Sequence, residues 1–230
     1  MSAAEIVLHL PAVVREGWEA IAPDPMRQLF IEQNPQPLII GASFETPALP
    51  SDGGALGKFK RTALVARALL ETIHGKPELK RCLVRGVYTQ TFGETIAVTG
   101  RDREDQQTLI ATLDYGESTL QLMKRFATMR RILKLPPVVA RTFLDRAIDP
   151  NLPPPQVVLS NVSHLLDNPE MCLGACAGGS PIAINIGRKT SHVVLDHRLY
   201  DPLHEAMLIN GLCENVRRMV NGCDEQESQA

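Results

Sequence analysis

Residues 193–201 read VVLDHRLYD and carry the strongest chemical signal in the sequence. The aliphatic, mostly β-branched run 193–195 is typical of a buried strand. His197 follows this run, and Asp201 comes four residues later, just before a stretch with apolar residues at helical spacing over 203–220. The pattern predicts a strand that delivers a histidine and a carboxylate to the start of the last helix.

Histidine suits general-base chemistry because its unperturbed pKa lies at roughly 6.5. A carboxylate nearby, here Asp201, can hold the geometry and charge of such a site. The spacing also fits a solvated loop histidine in an ordinary turn, because His-x-x-x-Asp often arises by chance. Asp196 equally fits a cap at the strand end.

The composition excludes several classes of protein. The chain has 230 residues, of which 44% are hydrophobic and 22% charged, with a formal net charge of −2. A chain of this length and apolar content can form one large domain or two small ones. The near-neutral charge and an aromatic content of 4% argue against a nucleic-acid binder. Because no apolar run approaches the roughly 20 residues of a membrane span and no signal peptide is evident, we expect a cytoplasmic protein.

The five cysteines are Cys82, Cys172, Cys176, Cys213 and Cys223. An odd number in a chain of this length favours reduced thiols over a disulfide scaffold. Cys172 and Cys176 could clip a metal ion, but no second cysteine pair or nearby histidine pair completes a tetrahedral set in the sequence. We therefore expect no metal site.

The rest of the chain mixes helical and strand-like segments. Helical spacing and capping signals predict helices over 26–33, 58–74, 117–133, 138–147 and 203–220. Strand-like runs cover 37–46, 82–91, 95–99, 108–113, 157–159, 181–186 and 191–195. The polar turn RDREDQQ predicts a hairpin of the strands on either side of it, and the proline run 153–155 fits an internal loop. The order predicts an α/β (α+β) fold in which helices cover a mixed sheet.

These segments resemble, in the same order, the acyltransferase components of 2-oxoacid dehydrogenase complexes. VVLDHRLYD is similar to their DHRxxDG signature, and chloramphenicol acetyltransferase carries the related HxxxDG motif. Residues 158–161 (VLSN) resemble the T-x-S-N strand of the family, and residues 181–187 (PIAINIG) resemble its apolar strand ending in glycine.

Two further segments resemble the first half of that fold. Residues 58–83, which contain PELK, are similar to the helix before the family's PELNA segment, and Met26-Arg27 resembles the start of its first core helix. The resemblance covers 26–221, leaving 1–25 as an N-terminal segment and 222–230 as a flexible acidic tail.

The resemblance implies a role for each matching residue. His197 would be the general base for direct acyl transfer through a tetrahedral intermediate, and Ser160 would donate to the oxyanion, although Ser-Asn also fits a turn. Asp201 would pair with an arginine and order the histidine loop. Arg27 matches that partner's position but also fits a solvated helix charge. Arg198 belongs to the motif, either in a salt bridge or on the surface.

The resemblance also implies a chloramphenicol acetyltransferase-like homotrimer with active sites at the subunit interfaces and coenzyme A as the acyl carrier. Pro202 departs from the family pattern because it stands where the motif has glycine, and proline fixes φ and lacks an N–H. We expect no lipoyl group on this chain, so an acyl or lipoyl carrier protein would act in trans. The acidic tail favours a simple trimer over a cage.

The segment 123–146 alternates basic and apolar residues. It fits a lid over an acyl chain, a membrane contact or an acyl-carrier docking face, but also an amphipathic helical pair that covers the core. The function expected from the sequence is acyl transfer from a coenzyme A thioester to a small acceptor. The alternatives are a catalytically inactive trimeric scaffold and a small-molecule binding protein without turnover.

Overall fold

The computed structural model describes residues 18–34, 39–45, 55–101, 108–147, 154–162, 180–187, 190–201 and 205–227. The strands are β1 (Trp18–Ala20), β2 (Ile39–Glu45), β3 (Arg81–Val84), β4 (Val87–Thr91), β5 (Thr95–Arg101), β6 (Thr108–Asp114), β7 (Val157–Asn161), β8 (Ile182–Ile186) and β9 (Thr190–Asp196). The helices are α1 (Pro25–Gln33), α2 (Ala55–Ile73), α3 (Thr119–Leu133), α4 (Pro137–Ala147) and α5 (Ala206–Glu227).

Two sheets organise these elements. The larger one has six strands in the order β2-β9-β8-β7-β5-β6, and the smaller one has three in the order β1-β4-β3. In the larger sheet β7 pairs in parallel with both β5 and β8, while the other neighbours are antiparallel. The predicted mixed sheet and the predicted β5–β6 hairpin are therefore confirmed.

The core lies on one face of the six-stranded sheet. Alternate strand residues such as Leu159, Ile184 and Leu195 are at most 1% exposed and belong to one cluster of buried side chains. Side chains from α2, α3 and α5 complete the cluster, including Leu69 and Leu122. Burying each such side chain contributes about 1.5–3 kcal/mol, so this face holds the helices on the sheet. The intervening strand residues point to the opposite face.

Helix α1 starts where the sequence predicts, because Asp24 caps it. The Asp24 carboxylate accepts the backbone N–H of Met26 at 3.1 Å and of Arg27 at 3.0 Å, and Pro25 occupies the first turn. The hydrogen bond from the Arg27 amide is the main reason that the pKa of Asp24 lies below its usual value. This cap sets the position of α1 beside the turn at 197–199, which follows β9 and is called the histidine turn below.

Three local predictions were wrong. The run 82–91 is two strands, because Arg85 and Gly86 adopt positive φ angles of 52° and 79° and form a tight turn between β3 and β4. Strand β1 was not predicted, and α5 continues to Glu227, beyond the predicted end at Val220. Among the described residues, none of the helices combines the length and hydrophobicity needed to cross a bilayer.

Candidate active site

His197 is the first residue after β9, and β9 is held in place by a neighbouring strand on each side. β9 pairs with β2 and β8, so its end is determined by two ladders. The imidazole meets the ring of Phe30 edge-on, with centroids 5.0 Å apart and planes at 68°. Its Nδ1 lies 3.2 Å from the Tyr200 carbonyl oxygen. A proton on Nδ1 donated to that carbonyl leaves the Nε2 lone pair available as a base.

His197 lines a cleft of about 680 Å³. Arg27 and Phe30 of α1 form one wall, and Arg81 and Tyr88 of the three-stranded sheet form another. Protein sites for small molecules are concave and of this size. This cleft is more polar than most such sites, because charged side chains such as Arg27, Arg81 and Glu205 line it together with apolar ones. The small sheet therefore helps to enclose the space in front of the histidine.

Asp196 and Arg198 form a buried ion pair on either side of His197. The Arg198 guanidinium donates to the Asp196 carboxylate at 2.6 Å through Nη2 and at 3.0 Å through Nε. The same carboxylate accepts the Arg198 backbone N–H at 3.0 Å. Both residues are buried, at 4% and 8% exposure. This pair clamps the turn at its base and decides between the two alternatives for Arg198 in favour of a salt bridge.

A second charged network holds the far side of the turn. Arg27 donates to the carbonyl of Leu199, and its guanidinium lies 3.6 Å from Glu205. Arg81 also donates to Glu205, and the Asp201 backbone N–H donates to the same carboxylate at 2.8 Å. Arg27 thus contacts the histidine turn directly.

Glu205 was missed by the sequence reasoning. Its carboxylate accepts hydrogen bonds from Arg81 and from the Asp201 amide and forms an ion pair with Arg27, and its own N–H donates to the Asp201 carbonyl at 2.7 Å. The available signal was an acidic residue in the turn just before α5, where a carboxylate satisfies unpaired amides. Glu205 thus forms an ion pair with Arg27, the residue that the family resemblance offers as a partner for Asp201.

Ser160 lies near the end of β7 and is partly exposed. Its hydroxyl oxygen accepts a hydrogen bond from Thr99 Oγ1 at 2.7 Å. Because a serine hydroxyl has one proton and two lone pairs, this contact leaves the Ser160 proton available to donate elsewhere. Serine in this state can stabilise a developing oxyanion.

Ser160 and His197 lie toward opposite ends of the sheet. Ser160 is in register with Asn185, which pairs with His192. His197 is five residues further along the chain, directly after the last residue of β9, and five extended residues at about 3.3 Å each span roughly 16 Å. A single copy of the chain therefore does not bring the two groups to one reacting carbonyl.

The other candidate groups lie outside this arrangement. Burial raises the pKa of the Cys82 thiol to about 12, which makes it a poor nucleophile. No cluster of three metal-ligating side chains occurs in the ranges that the structure describes. Cys172, Cys176 and Pro202 fall outside the described residues.

Comparison with solved structures gives acyltransferase cores among the fold neighbours. The cubic core of a pyruvate dehydrogenase multienzyme complex matches with a TM-score of 0.54 at 10% identity, covering 85% of each chain. A probable dihydrolipoamide acetyltransferase from Listeria monocytogenes matches with a TM-score of 0.52 at 8% identity, covering 90% of this chain and 95% of the other.

A third neighbour is the dihydrolipoamide acetyltransferase of Azotobacter vinelandii, with a TM-score of 0.51, 8% identity and 85% coverage of each chain. The chain has the fold of these acyltransferase cores. The resemblance inferred from VVLDHRLYD is thus confirmed at the level of the fold. No protein-family model matches this sequence, and a search of curated proteins gives no match.

Proposed function

We propose that the protein is an acyltransferase that moves an acyl group from a coenzyme A or carrier thioester to a small acceptor. The observation that carries this proposal is the placement of His197, with Nδ1 on a backbone carbonyl and its ring in a cleft of about 680 Å³. A histidine with one nitrogen oriented in this way presents the other as a general base.

The reaction proceeds without a covalent acyl-enzyme. His197 Nε2 takes the proton of the acceptor's thiol, hydroxyl or amine as that group attacks the thioester carbonyl. The carbonyl oxygen becomes an oxyanion and accepts a hydrogen bond from the Ser160 hydroxyl, an interaction that typically contributes about 2.7–4 kcal/mol to lowering the barrier. Collapse of the intermediate breaks the carbon–sulfur bond, and the imidazolium returns the proton to the departing thiolate.

This mechanism requires more than one copy of the chain. Since Ser160 and His197 are roughly 16 Å apart along the strand direction, one reacting carbonyl cannot contact both within a monomer. A head-to-tail ring places the His197 end of one copy against the Ser160 end of the next. The family resemblance favours a homotrimer, with the acyl thioester and its acceptor entering between subunits.

The charged networks serve to position the histidine. The pairs formed by Arg198 with Asp196 and by Arg27 with Glu205 hold both sides of the turn that carries His197. In the Azotobacter enzyme a serine, a histidine and an asparagine were investigated for roles in the mechanism, the last two four residues apart. His197 and Asp201 share that spacing, with a carboxylate in place of the amide.

The test is release of free coenzyme A thiol from a panel of short to long acyl-CoAs. Dihydrolipoamide, simple alcohols and simple amines serve as acceptors. We expect wild-type turnover and a loss of about 100-fold or more in His197→Ala, because general-base catalysis contributes that much. Folding and oligomer size should stay unchanged.

His74→Ala is the matched control, since His74 stacks on Tyr115 outside the cleft. Full activity of His197→Ala would refute the mechanism. If a well-folded wild-type oligomer turns over no acyl-CoA, the acyltransferase proposal is refuted and the scaffold alternative is favoured.

A further inference from the structure

A row of polar side chains crosses the face of the large sheet opposite the core. Thr99, Ser160, Asn185, His192 and Ser43 stand in register on the adjacent strands β5, β7, β8, β9 and β2. Their neighbours along β7, β8 and β9, such as Leu159 and Ile184, point into the core instead. In-register residues on a pleated sheet share a face, so the five side chains form one continuous polar line.

Asn185, in the middle of this row, has a buried donor that finds no partner among the described residues. It is 4% exposed, and its Nδ2 makes no hydrogen bond within the described part of the chain. Buried polar atoms in native proteins are almost always satisfied, because an unsatisfied one destabilises the fold. Its row neighbours Ser160 and His192 are partly exposed, so solvent reaches the row on both sides of Asn185.

Within the ranges that the structure describes, the Ser160 hydroxyl is a second donor without an acceptor, on the strand next to Asn185. The hydroxyl of Thr99 donates to Ser160 Oγ at 2.7 Å, which leaves the Ser160 proton to point elsewhere and polarises it further. Ser160 and Asn185 sit on neighbouring strands about 4.8 Å apart. Two donors at that spacing can converge on a single oxygen atom.

We propose that Asn185 is a second oxyanion donor, which binds the thioester carbonyl of the acyl substrate together with Ser160. This inference rests on the proposed acyl transfer and adds a catalytic residue to it. Asn185 has this role rather than His192 because His192 is two strands, about 9.6 Å, away from Ser160. The negative charge that develops on the carbonyl oxygen supplies the partner that the Asn185 amide otherwise lacks.

The decisive variant is Asn185→Leu, which keeps the side-chain size and removes both N–H donors. We expect kcat/KM with the preferred acyl-CoA to fall about 100-fold, as for loss of one oxyanion-hole donor. The midpoint of urea unfolding should stay the same or rise, because an unsatisfied buried amide is removed. Asn185→Ala, with no added bulk, should show the same loss of activity.

Thr112→Val is the matched control. Thr112 Oγ1 is another buried hydroxyl that lacks a hydrogen-bond partner in the described ranges, but it belongs to the edge strand β6 and to the neighbouring row. Removing it should leave kcat/KM unchanged. Wild-type activity in both Asn185 variants would overturn the inference.

A spectroscopic readout separates this inference from the proposed function. Acetyl-CoA labelled with carbon-13 at its carbonyl should show a lowered infrared carbonyl stretch when bound to the wild type. In Asn185→Leu the carbonyl stretching frequency should lie between the value in the wild-type complex and the value for free acetyl-CoA. If His197→Ala abolishes turnover but Asn185→Leu changes neither the carbonyl stretch nor the rate, the role of Asn185 is refuted and the proposed acyl transfer stands. If the wild type neither binds nor turns over any acyl-CoA, both fail.

Discussion

The two ends of the six-stranded sheet carry different kinds of polar groups, charged pairs at one end and neutral side chains at the other. Around His197, charged groups are paired at short range, as Arg198 is with Asp196 and Arg27 with Glu205. Around Ser160 the row is neutral, and the Asn185 amide has no partner within the described residues. Among the described residues, the charged groups at the His197 end are paired, although the buried Tyr200 hydroxyl there has no partner, and the Ser160 end retains neutral donors without acceptors.

This difference separates two tasks that an acyl-transfer site must perform. A general base needs a defined orientation, which salt bridges and backbone contacts supply before any substrate binds. An oxyanion site needs donors aimed at a charge that exists only during the reaction. Paired charges therefore suit the His197 end, while unused neutral donors suit the Ser160 end.

The sharpest test asks whether the two ends work together across subunits. Ser160→Ala and His197→Ala should each retain about 1% of wild-type activity or less. Oligomers assembled from an equal mixture of the two chains should regain about one quarter, because a site between neighbours is intact when each contributes its wild-type end. The measurement is thiol release after co-expression and purification of the mixed oligomer.

The control for this mixing experiment is each variant put through the same procedure alone. A mixture that stays at the average of its two parents would show that Ser160 and His197 act within one copy. That outcome would remove the argument for a shared site.

The stability of the His197 end depends on its buried ion pair. Arg198→Met should lower the free energy of unfolding by about 3–5 kcal/mol, because Asp196 would be left buried without its partner. Urea denaturation measures this change. The control is Arg217→Met, whose pair with Glu214 is 57% exposed on each side and should contribute about 0–1 kcal/mol. Equal effects of the two substitutions would contradict the contrast between the ends.

Glu205 should have a smaller effect on stability. Glu205→Gln keeps the size of the side chain but replaces one of its two acceptor oxygens with an NH2 donor and removes the charge shared by Arg27 and Arg81. We expect a loss of about 1.5–3 kcal/mol in unfolding free energy, the range for hydrogen bonds to charged groups. Turnover should fall as the histidine turn loosens. Glu214→Gln, on the exposed side of α5, provides the comparison and should leave both quantities nearly unchanged.

Local pattern was sufficient to predict most of the fold. The short segments 181–186 and 191–195, with their aliphatic and β-branched residues, predicted β8 and β9, and helical spacing predicted α2 and α3, because each buries one face against the core. The β3–β4 turn was missed because Arg85 adopts positive φ, which a non-glycine residue rarely does. That conformation is imposed by pairing of the flanking strands rather than by the residue.

The candidate site could be predicted only one motif at a time. His197, Asp201 and Ser160 stand in recognisable sequence contexts, whereas Glu205 gains its contacts from Arg27 and Arg81, far away in the chain. The separation of Ser160 from His197 depends on strand order and register. A linear sequence does not state either property directly.

Strand β9 sets the distance between the polar row that contains Ser160 and the turn that carries His197. His192 and Asp196 lie on the same face of β9, four residues apart, so a rigid strand sets the spacing between the polar row and the histidine turn. Any insertion of a single residue between them would turn one of the two toward the core. Substitutions within the row, by contrast, leave that spacing intact. On the proposed function, a substitution in the row would therefore alter how the thioester carbonyl is bound without moving His197.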